Sequence, residues 1–181
     1  MYRSVPRRLI IVHISIAASQ MNKAVFFDRD GIVNRELGDY IKQFHEFEIH
    51  DPVLPFLAEL KSREYRTIII TNQGGIAKGL YDHSLVDACT EYLQNYLRPM
   101  NLDFDAVYYC PHHPQFNACL CRKPSGLLIE KAIARFRLDP RRCFMVGDKV
   151  RDVQAAEAAG IKGFLLPPNP STEELFKCLN D

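Results

Sequence analysis

Four short segments carry side chains that together could move a phosphoryl group. Asp28-Arg29-Asp30-Gly31 places two carboxylates two residues apart. At the end of a β-strand such residues point the same way, so both can face one site, and Gly31 permits a tight turn behind them. Thr71-Asn72-Gln73-Gly74-Gly75 offers a hydroxyl, two amides and backbone N–H groups that glycine leaves open. Arg122-Lys123-Pro124 offers two cations, and Gly147-Asp148-Lys149 with Asp152 adds carboxylates beside a lysine. A carboxylate that attacks a phosphate ester sets anion against anion, which calls for a divalent cation and a lysine. In that chemistry Asp28 is the nucleophile and forms an aspartyl-phosphate. Asp30 protonates the leaving oxygen and then activates water. Asp28, Asp148 and the backbone carbonyl of Asp30 hold Mg²⁺, a hard cation that prefers oxygen, while Thr71 and Lys123 grip the phosphoryl oxygens. Asp152 is open between two roles, a metal partner or a favourable charge at the start of a helix. Asp and Gly after strands are also ordinary turn residues, so no single pair decides the matter. The weight lies in all four segments occurring in order.

Those segments need strands to present them. From Met21 onward short apolar runs alternate with amphipathic stretches. Strands are expected at Lys23–Phe27, Thr67–Ile70, Ala106–Tyr109, Cys143–Val146 and Gly163–Leu166, where β-branched and aromatic residues cluster. Helices are expected at 53–63, 82–100, 127–136 and 151–159 from apolar positions recurring at three and four residues. In the second of these, Leu85, Val86, Cys89, Tyr92, Leu93, Tyr96, Leu97 and Met100 form one stripe, and Pro99 closes it. Gly160 is the expected C′ residue of the fourth, and Ser171-x-x-Glu174 a capping box for a last short helix. This β-α alternation implies a Rossmann-like three-layer α/β sandwich with a mostly parallel sheet. In such sheets ligands bind beyond the carboxyl ends of the strands, where the four segments fall.

Together, Asp28-x-Asp30-Gly31, Thr71, Lys123 and Gly147-Asp148-x-x-x-Asp152 resemble the four motifs of the haloacid dehalogenase superfamily of phosphohydrolases, over residues 24 to about 166. No room is left for a separate cap domain, so the domain is expected to be capless, with loops shielding the site.

Cys110-Pro-His112 followed by Cys119-Leu-Cys121 has thiolate and imidazole spaced for a tetrahedral Zn²⁺. Four protein ligands leave no open position, so this zinc-binding loop would be structural and would pin the chain that delivers Arg122 and Lys123. His113 is the alternative to His112, and a disulfide the alternative to metal. Cys89, Cys143 and Cys178 read as packing residues. With Asp-Arg-Asp-Gly-x-x-Asn, Thr-Asn-Gln-x-Gly-Ile and Cys-Arg-Lys-Pro, the loop resembles a branch of the superfamily acting on small phosphorylated metabolites. That resemblance implies a phosphorylated sugar as substrate, the 7-phosphate of a heptose 1,7-bisphosphate foremost, with histidinol phosphate as the alternative. It implies substrate contacts from Arg29, Glu36, Asp39, Asn72, Gln73, Gly74, Arg122 and Lys149. Arg122, a planar fork, suits a second phosphate or paired hydroxyls.

Composition narrows the rest. The 181 residues point to one domain, with 47% hydrophobic and 25% charged residues, ordinary globular values. Lys and Arg number 23 against 22 Asp and Glu, which leaves no basic footprint for nucleic acid and argues against a phosphatase of nucleic-acid ends. No apolar run reaches the ~20 residues a membrane span needs. A non-catalytic zinc-bearing binding module has no need of the complete set Asp28, Asp30, Lys123 and Asp148. Residues 1–20, with Arg3, Arg7 and Arg8 before an interrupted apolar stretch, are expected to lie outside the fold, as an extension from an early start or a signal-like segment. Residues 21–181 form the domain. A cytoplasmic monomer is expected, since the thiols suit a reducing compartment.

Overall fold

A computed structural model describes residues 22–116 and 118–180; the N-terminal segment 1–20 lies outside them. The chain runs β1 (Ala24–Phe27), α1 (Val53–Ser62), β2 (Arg66–Asn72), α2 (His83–Leu97), β3 (Ala106–Cys110), α3 (Leu127–Phe136), β4 (Phe144–Gly147), α4 (Val150–Ala158), β5 (Lys162–Leu165) and α5 (Thr172–Lys177). The five strands form one all-parallel sheet in the order β3-β2-β1-β4-β5.

Alternation along the central strands divides the core in two. Val25, Phe27, Ile69 and Val146 join α1, α2 and α5 on one face. Ala24, Phe26, Ile68, Ile70 and Met145 join α3 and α4 on the other. All four residues of β1 are buried, as expected of a parallel strand covered by helices on both faces. Phe27 packs edge-on to Phe56 and Phe104, with centroids at 6.0 and 5.5 Å. Cys89 and Cys178 lie in the first core and Cys143 in the second.

Two expectations shift. β2 continues through Thr71 and Asn72, because β3 supplies partners for both, Thr71 opposite Tyr109 and Asn72 opposite Cys110. The two polar residues therefore close the strand instead of following it. In α2 the apolar stripe is narrower than the periodicity implies. Val86, Cys89, Leu93 and Leu97 are buried, whereas Tyr92, Tyr96 and Met100 are each about two-fifths exposed. Tyr92 instead meets Phe44 and Phe47 from the loop before α1. The α-helix ends at Leu97, and Pro99 sits in a 3₁₀ turn, Arg98–Met100. The caps fall as expected. Gly160 has a left-handed φ of 73° just past α4, and Ser171 and Glu174 exchange hydrogen bonds at α5.

The chain steps from β1 to β2 and β3 on one side, then returns to β4 and β5 on the other. This reversal opens a crevice beyond the carboxyl ends of β1 and β4.

Candidate active site

Asp28 extends β1: its N–H donates to the Val146 carbonyl at 2.9 Å. Its buried carboxylate lies beside those of Asp148 and Asp152, one oxygen of each within 4.8 Å of the others. Gly31 makes this approach possible. It holds a φ of 91°, and a Cβ there would lie 2.7 Å from Asp148 Oδ2. A side chain is thus excluded by both conformation and space.

Lys123 closes the cluster from the segment before α3. Its ammonium donates to the Ile70 carbonyl at 2.7 Å and pairs with Asp28 Oδ1 at 2.8 Å and Asp152 Oδ1 at 2.7 Å. Burial pulls the Lys123 pKa down, but the two carboxylates more than offset this and raise it. Asn72 fixes the same residue's backbone, accepting from Lys123 N at 3.0 Å and donating to its carbonyl at 3.1 Å. The second oxygen of Asp152 accepts from Lys149 N at 3.0 Å, capping α4. Asp152 thus anchors Lys123 and caps a helix while standing within the carboxylate cluster.

The cluster is short of positive charge. Burial pushes the Asp28 pKa up to about 7; Lys123 opposes this, while Asp152 and Asp30 add to it. Buried Asp148 Oδ1 has no partner among the described residues, and Oδ2 meets only Lys149 Nζ, at 2.8 Å. Orphaned carboxylate oxygens are costly. Three carboxylates that converge with one oxygen unsatisfied are a donor set for a hard cation.

Asp30 stands apart from this cluster. Its carboxylate accepts from Arg29 Nη2 at 2.9 Å, Gln73 Nε2 at 2.9 Å and Asn34 Nδ2 at 3.1 Å. Burial raises its pKa, but the Arg29 guanidinium and these hydrogen bonds outweigh that and lower it. Gln73 Nε2 also donates to Thr71 Oγ1 at 2.9 Å.

A cavity of about 250 Å³ opens at Asp30. Of the residues singled out as substrate contacts, Arg29, Glu36, Asp39, Asn72, Gln73, Arg122 and Lys149 line it. Gly74 lies instead under Arg122, where a Cβ would come 2.9 Å from Nη1. Tyr40, Ile41, Tyr81 and Arg151 also line the cavity, and sequence reasoning missed them. The available signal was aromatic side chains in the loops that follow β1 and β2.

The loop between β3 and α3 gathers a second group. Cys110 Sγ lies 3.6 Å from Cys119 Sγ, 3.2 Å from Cys121 Sγ and 3.7 Å from His112 Nδ1, and Cys121 Sγ lies 3.4 Å from that nitrogen. These four can hold one metal ion. His113 is not among them; its ring lies against Phe116. None of the six cysteines forms a disulfide. Arg122 Nη1 donates to the His112 carbonyl at 2.9 Å, joining this loop to the cavity.

A sequence profile of haloacid dehalogenase-like hydrolases matches residues 19–160. The chain is 39% identical over 147 residues to the D-glycero-beta-D-manno-heptose-1,7-bisphosphate 7-phosphatase of Haemophilus influenzae, covering 78% of this chain and 79% of that one. The enzyme of the same name from Escherichia coli is 37% identical over 159 residues, 83% of each chain. The crystal structure of D,D-heptose 1,7-bisphosphate phosphatase from B. bronchiseptica, complexed with magnesium and phosphate, aligns with a TM-score of 0.76 at 30% identity over 87% of each chain.

Proposed function

This chain belongs to the haloacid dehalogenase-like hydrolases and is a phosphatase; on that premise we propose that it removes the 7-phosphate of D-glycero-D-manno-heptose 1,7-bisphosphate. Asp28 attacks phosphorus. Its Oδ1 is held by Lys123 Nζ and by the Arg29 N–H at 2.8 Å, which leaves Oδ2 as the attacking oxygen. The bond to the sugar oxygen breaks, and Asp30, ionised in the free enzyme, takes up the proton that a phosphate monoanion brings and delivers it to that oxygen. Asp30 then takes a proton from the water that cleaves the aspartyl-phosphate. The Thr71 hydroxyl holds a phosphoryl oxygen, and Lys123, whose ammonium already meets Ile70, Asp28 and Asp152, offsets the phosphoryl charge.

Asp28, Asp148 and the Asp30 carbonyl would hold Mg²⁺, which would offset the charge of the phosphoryl group. The unpartnered Asp148 oxygen supports that assignment. The cysteine loop would hold a structural Zn²⁺. Ligands at about 2.3 Å for sulfur and 2.0–2.1 Å for nitrogen, at tetrahedral angles, stand roughly 3.4–3.8 Å apart. Three of the four observed separations, 3.4 to 3.7 Å, lie in that range and the Cys110–Cys121 pair is shorter, at 3.2 Å; all lie well beyond the ~2.05 Å of a disulfide.

The observation that carries the substrate reading is the cavity lining. Arg122, Lys149 and Arg151 can meet a second phosphate, and Glu36 and Asp39 can accept from hydroxyls. Cysteines without disulfides suit the cytoplasm. No helix among the described residues is long and apolar enough to cross a membrane.

The test is phosphate release, with Mg²⁺, from both anomers of the heptose 1,7-bisphosphate and from histidinol phosphate. A strong preference for one heptose anomer is expected. Preference for histidinol phosphate would keep the chemistry and remove the sugar assignment.

A further inference from the structure

We infer that Tyr81 is a positioning residue for the acid–base step, holding Gln73 and through it the carboxylate of Asp30. The inference rests on the proposed role of Asp30 as the proton donor.

Gln73 is a four-way junction. Its Oε1 accepts from Tyr81 OH at 2.8 Å and from Arg29 Nη2 at 3.1 Å. Its Nε2 donates to Asp30 Oδ2 and to Thr71 Oγ1, both at 2.9 Å. Two lone pairs and two N–H groups are thus all used. Reversing the amide would set a donor against Arg29 and an acceptor against the Asp30 carboxylate, so the orientation is determined by its neighbours. Arg29 cannot be the whole anchor, because its Nη2 is shared with both oxygens of Asp30 at 2.9 and 3.1 Å. Tyr81 holds Gln73 from outside the Arg29–Asp30 pair.

The fold makes a particular place for this phenol. A Cβ on Gly75 would fall 2.1 Å from Tyr81 Cε1, so the ring lies where only glycine leaves room. Tyr40 covers another side, its ring centroid 6.2 Å away. Burial is the main force raising the Tyr81 pKa, to about 12, so the hydroxyl remains a donor at neutral pH.

A carboxylic acid that must reach a departing oxygen works only when correctly aimed. An alkoxide needs a proton as it leaves, whereas a nitrophenolate does not. Loss of aim should therefore appear as discrimination between leaving groups, which a general loss of packing would not produce. The experiment measures kcat/KM, which covers binding and phosphoryl transfer but not breakdown of the aspartyl-phosphate, for propyl phosphate and 4-nitrophenyl phosphate. Tyr81→Phe is expected to lose about tenfold on propyl phosphate and less than about threefold on nitrophenyl phosphate. Gly75→Ala, which displaces the ring, should show the same bias. Equal losses on both substrates, or none on either, overturn the inference. A loss on the heptose bisphosphate without one on propyl phosphate makes Tyr81 a sugar contact and overturns it as well. Asp30→Asn separates the levels. Without leaving-group bias in that variant, the acid role itself fails and the inference with it. Bias there and none in Tyr81→Phe refutes the role of Tyr81 alone.

Discussion

The carboxylate cluster beyond β1 and β4 and the cysteine loop beyond β3 each bring together side chains from distant parts of the sequence, but by different means. In the cluster the sheet does the work. Asp28 continues a strand's hydrogen bonding, Thr71 and Asn72 sit within β2, and Asp148 directly follows β4. Its members are almost wholly buried, and Lys123 has three partners of its own. In the cysteine loop no strand or helix lies between Cys110 and Leu127 among the described residues, and His112, Cys119 and Cys121 are only partly buried. Only Cys110, the last residue of β3, is set by a backbone ladder; His112, Cys119 and Cys121 converge on it with none. Where a ladder aims the side chains, a cation has only chemistry to supply; where there is none, the metal must supply the structure.

Asp28→Asn tests the first half of that contrast and carries the largest effect. The substitution removes the nucleophile but leaves Lys123 its bonds to Ile70 and Asp152. Phosphate release is expected to fall by roughly 10⁴-fold or more, while Tm stays within about 2 °C of the parent. Removing one of several crowded carboxylates should not loosen the fold, since burial and carboxylate neighbours already raise the Asp28 pKa. Turnover near that of the parent would sink the nucleophile assignment. A large drop in Tm would mean that the sheet alone does not hold the cluster.

Cys119→Ser tests the second half. Loss of one thiolate should release the bound metal, as read by elemental analysis. Tm should fall by roughly 5–10 °C, a few kcal/mol in a chain of this size. Turnover should fall only about tenfold, through poorer placement of Lys123, since Asn72 still clamps that residue's backbone. A metal-free variant with unchanged Tm and activity would end the structural-zinc reading.

The same contrast explains what could be read before the fold was seen. Asp28, Asp148 and the glycines beside them follow short apolar runs, so their place at strand ends was visible from local sequence. The cysteine ligands were visible from type and spacing. The role of Asp152 was not. Its position fits both a helix start and a metal partner, and the residue that decides its contacts, Lys123, comes from another segment. Tyr40 and Tyr81 come from different loops and meet only in three dimensions. The width of the α2 stripe depended on how far its neighbours reach, which leaves Tyr92 and Tyr96 partly exposed at its margin. Periodicity shows which way a helix faces, but not how much of that face is covered.

Arg122 belongs to both regions, and its substitution gives the smallest and sharpest test. One guanidinium nitrogen donates to the His112 carbonyl in the cysteine loop, while the side chain lines the cavity that opens at Asp30. Arg122→Lys keeps the charge but loses the planar fork that allows one end to anchor and the other to bind. If Arg122 serves the substrate, KM for the bisphosphate should rise about three- to tenfold, with kcat and Tm nearly unchanged. If it serves only to fasten the loop, Tm should fall and KM should hold. The second result would also move the second-phosphate contact to Lys149 and Arg151, the remaining cations among those assigned to it. Lys149 already pairs with Asp148 at 2.8 Å. An unchanged KM would therefore leave Arg151 as the one residue of that group held by no ion pair among the described residues, and the next to substitute.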